Sequence, residues 1–314
     1  MSHFAELIER NRVSHGRRRK AANAAMLSLT GLLTALALVP LFWIIGYVVY
    51  KGGSNINLDF FIHLPRPLGM TGGGVLSAIE GTLVVTILAA VFAIPPGVLA
   101  AFYAARYPNT PLGVALRFST DVLSGVPSIV VGLFAYTVIV LPMRHYSGLA
   151  GGAALAVIML PTIIRTTEEM LKLVPATLRE ASLGLGAPEW KTSLSVLFPA
   201  ASSGILTGFL LALARAVGET APLLMTTLGN ERFDIGQIVR GGLQAHKSVF
   251  TILWSVVNQP VDSLPLALWK YAQQPYPERI QQAWAVALVL MLFVLIVNVS
   301  ARVWILNRNR RMKG

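Results

Sequence analysis

Residues 81–105 read GTLVVTILAAVFAIPPGVLAAFYAA, a run of 25 residues without one charged side chain. A helix needs roughly 20 apolar residues to cross the hydrocarbon core of a bilayer, so this run is long enough to do so. Lipid offers the backbone no hydrogen-bond partners, whereas a helix satisfies its own N–H and C=O groups. The run therefore predicts a transmembrane helix.

Five further stretches share this character and contain almost no charged residues. They lie at residues 21–50, 122–143, 146–164, 192–230 and 280–301. The first is too long for the apolar part of a cleaved signal peptide, so we expect it to remain as an anchor. The sequence thus predicts an all-α integral membrane protein with six transmembrane helices. Pro127 lies within the third of these helices and predicts a kink there.

The apolar runs and the segments between them define the predicted organisation of the chain. It comprises a basic cytoplasmic segment 1–20, a first transmembrane helix 21–50, an outer loop 51–74, a transmembrane domain 75–306 with a cytoplasmic loop 165–200 and an outer loop 230–279, and a basic cytoplasmic tail 307–314. Within the long outer loop, the apolar run 248–261 has only 14 residues. Such a length predicts an interfacial or re-entrant segment, because it is too short to cross the bilayer.

The composition excludes several other classes of protein. Hydrophobic residues make up 54% of the chain and charged residues only 13%, about half the roughly 25% of a soluble domain. The chain has no cysteine, which excludes a disulfide scaffold, a thiolate zinc site and a cysteine nucleophile. The net charge is +12, but the basic residues lie between apolar runs, which argues against a nucleic-acid partner.

The distribution of basic residues predicts the orientation of the chain in the membrane. With the N-terminus inside, 17 of the 26 Lys and Arg residues lie in cytoplasmic segments and eight lie outside, with Arg215 within a span. Cytoplasmic loops are enriched in Lys and Arg, so both termini are expected to be cytoplasmic. The basic clusters at the termini should contact anionic lipid.

No pattern of catalytic or metal-binding residues is evident in the sequence. The chain lacks a G-x-x-x-x-G-K-[ST] phosphate loop, an H-E-x-x-H metal motif and a G-x-S-x-G nucleophile motif. Its five histidines are scattered and do not suggest a local metal site. We therefore predict a protein that is not an enzyme and binds no metal.

The segment between the fourth and fifth predicted spans has a regular pattern. Residues 175–191 read PATLREASLGLGAPEWK. Pro175 can begin a short helix, Gly184 or Gly186 can end it, and Pro188 can open the next helix. A short helix of this kind could dock in a groove on another protein. It could equally be an amphipathic connector at the membrane surface.

This segment resembles the loop E-A-A-x3-G-x9-I-x-L-P of ABC importer permeases. The matching positions are Glu180, Ala181, Ser182, Gly186, Val196, Phe198 and Pro199. Two longer strings, IIRTTEEMLKLVP at 163–175 and ARAVGETAPLL at 214–224, are similar to the A-type permeases of phosphate-specific ABC importers. The first motif is typical of the superfamily, whereas the two strings are more specific.

The resemblance implies a type I ABC importer permease fold in the bacterial cytoplasmic membrane and a role in inorganic phosphate import. It also implies three partners: a C-type permease subunit, a cytoplasmic ATPase dimer and an external phosphate-binding protein. ATP and Mg²⁺ would be used by the ATPase, and this chain would hold no cofactor. The helix around Glu180, Ala181, Ser182 and Gly186 would insert into the ATPase.

Two alternatives to phosphate import remain open from the sequence. The same machine could carry another oxyanion, such as sulfate, molybdate or tungstate. An ion-coupled secondary carrier is a different class, for which inverted repeats with paired broken helices are expected. The sequence shows no convincing internal repeat.

Arg215 and Glu219 are unusual because they lie within a predicted span, where an isolated charge costs roughly 2.5–3.5 kcal/mol on insertion scales. At a spacing of four residues they would share a helix face and partly neutralise each other. A stripe of small residues on that helix predicts that this face packs closely on neighbouring helices. The stripe consists of Gly204, Gly208, Ala212 and Ala216.

Two interpretations of this charged pair are possible. It could be a buried structural ion pair, or Arg215 could contact phosphate while Glu219 weakens the contact enough to permit release. Arg165 is a third candidate for the translocation path, with a simple membrane anchor as the alternative. Helix geometry places Arg165 and Arg215 at different depths, so one ion need not touch both. Asp121 is expected to pair with Arg117 one helical turn earlier.

Overall fold

The computed structural model describes residues 2–67, 70 and 72–311, and the side chains of residues 19–67, 70, 72–300, 302 and 303. These residues form helices and connecting turns without a β-strand, which confirms the all-α prediction. Residues 312–314 of the predicted basic tail lie outside the described residues. The chain divides into two compact units, the first ending at Lys51 and the second beginning at Gly52.

The first unit is a single long helix. Helix α1 runs from Ser2 to Gly53, so the predicted basic segment 1–20 continues directly into the predicted anchor. Its portion Arg19–Gly53 is long and apolar enough to cross a membrane.

The second unit contains the other helices. They are α2 (Leu58–Ile62), α3 (Leu76–Arg106), α4 (Pro111–Gly125), α5 (Ser128–Met143), α6 (Gly148–Lys172), α7 (Ala176–Gly184), α8 (Glu189–Val217), α9 (Ala221–Thr226), α10 (Ile235–Gln244), α11 (Val249–Val257), α12 (Leu264–Ala272) and α13 (Pro277–Arg311). Both α5 and α8 include a π-helical turn, at Tyr136–Val140 and Ser193–Leu197.

Local sequence explains where several of these helices begin. The Thr110 hydroxyl accepts a hydrogen bond from the Gly113 amide, and Pro111 occupies the first position of α4. Ser147 caps α6 in the same way by accepting from the Ala150 amide. Such caps satisfy amide groups that have no partner within the helix.

The number of spans agrees with the prediction when one broken helix is included. In the described residues, five helices have the length and apolarity of a span: α1 from Arg19, α3, α6, α8, and α13 as far as Ser300. Helices α4 and α5 together form a sixth, but they are bent by 106°. The predicted kink at Pro127 is therefore a sharp break, since proline disfavours the helical conformation at the preceding residue, Val126. The run 248–261 forms only the nine-residue helix α11 and a loop, which confirms that it is not a span.

The predicted fifth span differs from the structure at its end. Helix α8 ends at Val217, the chain turns at 218–220, and a separate helix, α9, begins at Ala221. The prediction that Arg215 and Glu219 share one continuous helix is therefore wrong. Pro222 supplies the reason, because in a continuous helix its ring would clash with the carbonyl of Gly218 and leave that carbonyl unpaired.

The core of the second unit is built around α6, which packs along α3 and α8. Ala89 and Ala93 of α3 lie with Leu155 and Met159 of α6 in one buried cluster. Glycine allows the backbones to approach closely. A Cβ atom on Gly152 would lie 2.4 Å from the Cβ of Leu88, so no larger residue fits without movement.

Candidate functional site

Arg215 lies in the last turn of α8, and Glu219 lies just beyond the helix end. The Arg215 Nε atom is 3.7 Å from Glu219 Oε1, which is an ion pair but is too long for a hydrogen bond. The Arg215 side chain is 52% exposed and that of Glu219 19%. The guanidinium group is therefore not enclosed by this chain, as a buried structural pair would require.

The break between α4 and α5 lies beside Arg215. A small cavity there is lined by Ser124, Val126 and Ser128 at the break, by Pro161 of α6 and by Arg215 itself. Polar hydroxyl groups and one guanidinium group thus share this position with apolar side chains.

The second broken helix meets the first at the same place. Helix α5 packs against α9, and a Cβ atom on Gly132 would lie 2.6 Å from the Pro222 Cα atom. Arg215 therefore lies where two interrupted helices, α4–α5 and α8–α9, come together. Pro127 predicted the first break, and Gly218 and Pro222 are the residues in the sequence that could have indicated the second.

The predicted small-residue stripe lies against α6. A Cβ atom on Gly204 would be 2.1 Å from Met170 Sδ, and one on Gly208 would be 2.1 Å from Thr166 Oγ1. Ala212 and Ala216 are fully buried. These small residues let α8 approach α6 closely. They lie along the part of α8 that ends at Arg215.

Arg165 lies on α6 and pairs with two carboxylates. Its Nη1 atom is 3.2 Å from Asp121 Oδ1, and its Nε atom is 3.2 Å from Glu169 Oε1. Its neighbour Thr166 faces Gly208, whereas the cavity at Arg215 is lined by Ile158. Seven residues of helix separate positions 158 and 165, or about 10 Å. The two arginines therefore occupy different levels along α6.

The predicted pair between Asp121 and Arg117 is wrong. Arg117 Nη2 lies 2.6 Å from Oε1 of Glu168, and Lys172 Nζ lies 2.5 Å from the same oxygen. The Glu168 side chain is only 4% exposed. A desolvated carboxylate needs charged partners, whereas a pair on the surface contributes only about 0.2–1 kcal/mol. Arg117 therefore pairs with the buried Glu168, and Asp121 pairs with Arg165.

The predicted short helix of the 165–200 loop is present as α7. It is followed by a turn in which Gly186 has a φ of +83°, a conformation that favours glycine. Glu180, Ala181 and Gly186 are exposed, and the Ser182 hydroxyl oxygen lies 2.9 Å from Thr192 Oγ1. The loop thus consists of α7, a turn and the start of α8, with Glu180, Ala181 and Gly186 accessible.

Glu189 directly follows Pro188, the predicted start of the next helix, and the sequence indicated no partner for it. In the structure its carboxylate binds Arg106 at the end of α3, with Nη2–Oε1 at 2.7 Å, and also binds Arg179 of α7. Arg106 is 83 residues away in the sequence, so no local pattern could have indicated this contact.

The loop before α12 contains a buried carboxylate that the sequence analysis did not identify. The Asp262 side chain is fully buried, and Lys270 Nζ lies 3.6 Å from its Oδ1 atom. The same Lys270 amine donates a hydrogen bond to the Gly229 carbonyl oxygen at 3.1 Å. Burial raises the pKa of Asp262 to about 6, although the positive charge of Lys270 acts in the opposite direction.

The chain is similar to known membrane transport proteins over nearly its whole length. A family model described as "Binding-protein-dependent transport system inner membrane component" matches residues 93–313. The "Phosphate transport system permease protein PstA" of Yersinia pestis is 40% identical over 306 residues, or 96% of this chain and 96% of that protein. The protein of the same name from Xylella fastidiosa strain Temecula1 is 41% identical over 296 residues, or 94% and 96%. Among solved structures, an inward-facing MetNI methionine ABC transporter chain has a TM-score of 0.49 at 19% identity, covering 74% of this chain and 93% of that chain.

Proposed function

The chain belongs to the binding-protein-dependent transport system inner membrane component family, and from this premise we propose that it is the permease subunit of an ATP-driven importer of inorganic phosphate. One observation carries this proposal: identity of about 40% along almost the full length of proteins named as phosphate transport permeases. The same observation favours phosphate over sulfate, molybdate or tungstate, and an ATP-driven importer over an ion-coupled carrier.

Arg215 is proposed to contact phosphate in the translocation path. Its half-exposed guanidinium group lies beside the cavity at the α4–α5 break. A guanidinium group can bind two phosphate oxygens at once, and the N-terminus of α5 at Ser128 adds a favourable dipole for an anion. These groups are suited to a transient contact with an anion at the junction of the two broken helices.

Glu219 is proposed to keep that contact weak. Its carboxylate lies 3.7 Å from Arg215 Nε, close enough to attract the guanidinium group without a hydrogen bond. An anion would therefore compete with Glu219 for Arg215, which favours release. Arg165 is proposed to act at a separate level of the same path, where Asp121 and Glu169 play the corresponding role.

The α7 loop is proposed to connect this chain to a cytoplasmic ATPase. The exposed residues Glu180, Ala181 and Gly186 lie on this loop, together with Ser182. The ATPase would bind and hydrolyse ATP with Mg²⁺, and this chain would contribute no cofactor and no catalytic group. The remaining proposed partners are a C-type permease subunit and an external phosphate-binding protein, with both termini of this chain on the cytoplasmic side of the bacterial inner membrane.

The experiment that tests the proposed cargo is uptake of radiolabelled phosphate by cells that lack this chain. We expect phosphate uptake at low external concentration to be lost and then restored by the wild-type chain. Sulfate uptake in the same cells serves as the control and should not change. Loss of sulfate uptake with normal phosphate uptake would assign the permease to a different oxyanion.

A further inference from the structure

A single carboxylate, that of Glu189, joins the three helices α3, α7 and α8. Glu189 is the first residue of α8, Arg106 is the last residue of α3, and Arg179 lies within α7. Oε1 of Glu189 accepts a hydrogen bond from Arg106 Nη2 at 2.7 Å and another from Arg179 Nη2, while Oε2 accepts from Arg106 Nε at 3.2 Å. The contact with Arg106 is therefore bidentate, which fixes direction as well as distance.

A second contact joins α7 to the first turn of α8. The Ser182 and Thr192 hydroxyl oxygens lie 2.9 Å apart, and Thr192 is 1% exposed. Ser182 follows Arg179 by three residues in α7, and Thr192 follows Glu189 by three residues in α8. Residues three apart lie on the same side of a helix, so α7 is held to α8 along one face, at two points.

These contacts lie on either side of the turn between α7 and α8. The connection between α7 and α8 is short, and Gly186 within it has a φ of +83°. The Gly186 and Ala187 amides donate hydrogen bonds to the Leu183 and Ser182 carbonyl oxygens and close the turn. The two side-chain contacts then hold α8 against α7 beyond the turn. Of the two contacts, the one at Glu189 also includes α3.

We propose that Glu189 is a positioning residue, which makes α3 and α8 move together with α7. The inference rests on the proposed function, in which α7 docks on the ATPase. Helix α8 leads on to Arg215, so a displacement of α7 would reach the proposed phosphate contact through one continuous element. The side chains of Glu189 and Arg106 are partly exposed, and water weakens such pairs as a source of stability. Glu189 should therefore affect coupling more than folding.

The test is Glu189→Gln in the complete transporter, reconstituted in liposomes with its ATPase, second permease subunit and binding protein. Phosphate uptake and ATP hydrolysis are measured in the same vesicles. We expect the phosphate transported per ATP to fall about tenfold, the scale set by one charge-assisted contact, while ATP hydrolysis continues. The matched control is Glu278→Gln, at the start of α13, which should leave the ratio unchanged.

An unchanged ratio of phosphate to ATP in the assembled complex would overturn the inference, whether the two activities stay normal or fall equally. If the Glu189→Gln complex does not assemble, Arg106→Lys is measured instead, because lysine keeps the charge but cannot bind both oxygens. It too should lower the ratio, and a normal ratio would contradict the inference. Failure of the proposed function itself would look different, since the wild-type complex would then transport no phosphate with ATP.

Discussion

At the residue scale, the proposed function depends on a few charged side chains. Arg215 could be singled out from the sequence, because a charge within an apolar run is rare and costly. Its surroundings could not, because they depend on where two helices break. The contacts of Glu168 and Glu189 also escaped the sequence analysis, since Arg117 and Arg106 lie 51 and 83 residues away from them. Burial decides such pairings, and burial is not visible in a local pattern.

Replacement of Arg215 distinguishes a phosphate contact from a structural pair. Arg215→Ala should reduce phosphate uptake about tenfold or more, the scale of one charged hydrogen bond. Arg215→Lys should restore only part of this activity, since lysine keeps the charge but loses the planar fork. Uptake is measured in cells alongside the amount of assembled complex in the membrane, with Arg232→Ala as the control for loss of an exposed arginine. Normal uptake by Arg215→Ala would contradict the proposed role.

Replacement of arginine by lysine also separates the two interpretations of Arg165, a membrane anchor and a contact in the translocation path. A membrane anchor needs only a positive charge, so Arg165→Lys should then be tolerated. A contact in the translocation path depends on the guanidinium geometry, so uptake should fall by severalfold. Because we assign Arg165 to the path, full activity of Arg165→Lys would count against that assignment.

Asp262 predicts a specific dependence of stability on pH. Its folded-state pKa is about 6, whereas the unfolded value is about 3.9. Between these values the folded state binds more protons, so stability should fall as the pH rises through this range and then level off above it. The corresponding free energy is at most about 3 kcal/mol.

Thermal unfolding of the purified protein from pH 4.5 to 7 checks this expectation. Asp262→Asn cannot titrate, so the difference in melting temperature between this variant and the wild type should change with pH over that range. Asp59→Asn, at an exposed position, is the control and should follow the wild type throughout. A constant difference between Asp262→Asn and wild type would contradict a raised pKa at Asp262.

At the scale of elements, the long apolar runs predict the helices well, because hydrophobic length is a strong signal. The breaks are harder to predict. Pro127 indicated a kink, but its 106° size depends on how α4 and α5 pack. The end of α8 was not predicted, because the four-residue spacing of Arg215 and Glu219 is compatible with a continuous helix through Gly218. The end of α7 was predicted at Gly184 or Gly186, since glycine after a short helix is a common stop signal, and the helix ends at Gly184.

The junction of α5 and α9 can be tested with one methyl group. Gly132→Ala would place a Cβ atom 2.6 Å from the Pro222 Cα atom, so the two broken helices must separate. Overpacking of this kind costs about 1–3 kcal/mol, and we expect a lower melting temperature and reduced phosphate uptake. Gly125→Ala in the adjacent helix meets nothing within 4 Å and is the matched control. Equal behaviour of the two variants would show that the close approach of α5 and α9 has no role.

At the scale of the whole molecule, we propose that the chain forms part of a path for an anion and that a separate ATPase supplies the energy. Arg215 lies beside the break between α4 and α5, and the α7 loop has Glu180 and Ala181 exposed. In the proposed function, transport against a gradient is driven through α7 by an ATPase that docks there. The proposed function depends on this separation between the path and the source of energy.

The most direct measurement is phosphate accumulation in sealed liposomes that contain this chain alone, the two permease subunits together, or the complete complex with ATPase, ATP and binding protein. Accumulation above the external concentration should occur only with the complete complex, and it should stop when ATP is replaced by a nonhydrolysable analogue. Uphill phosphate transport by liposomes that contain this chain alone, driven by an ion gradient, would contradict the account.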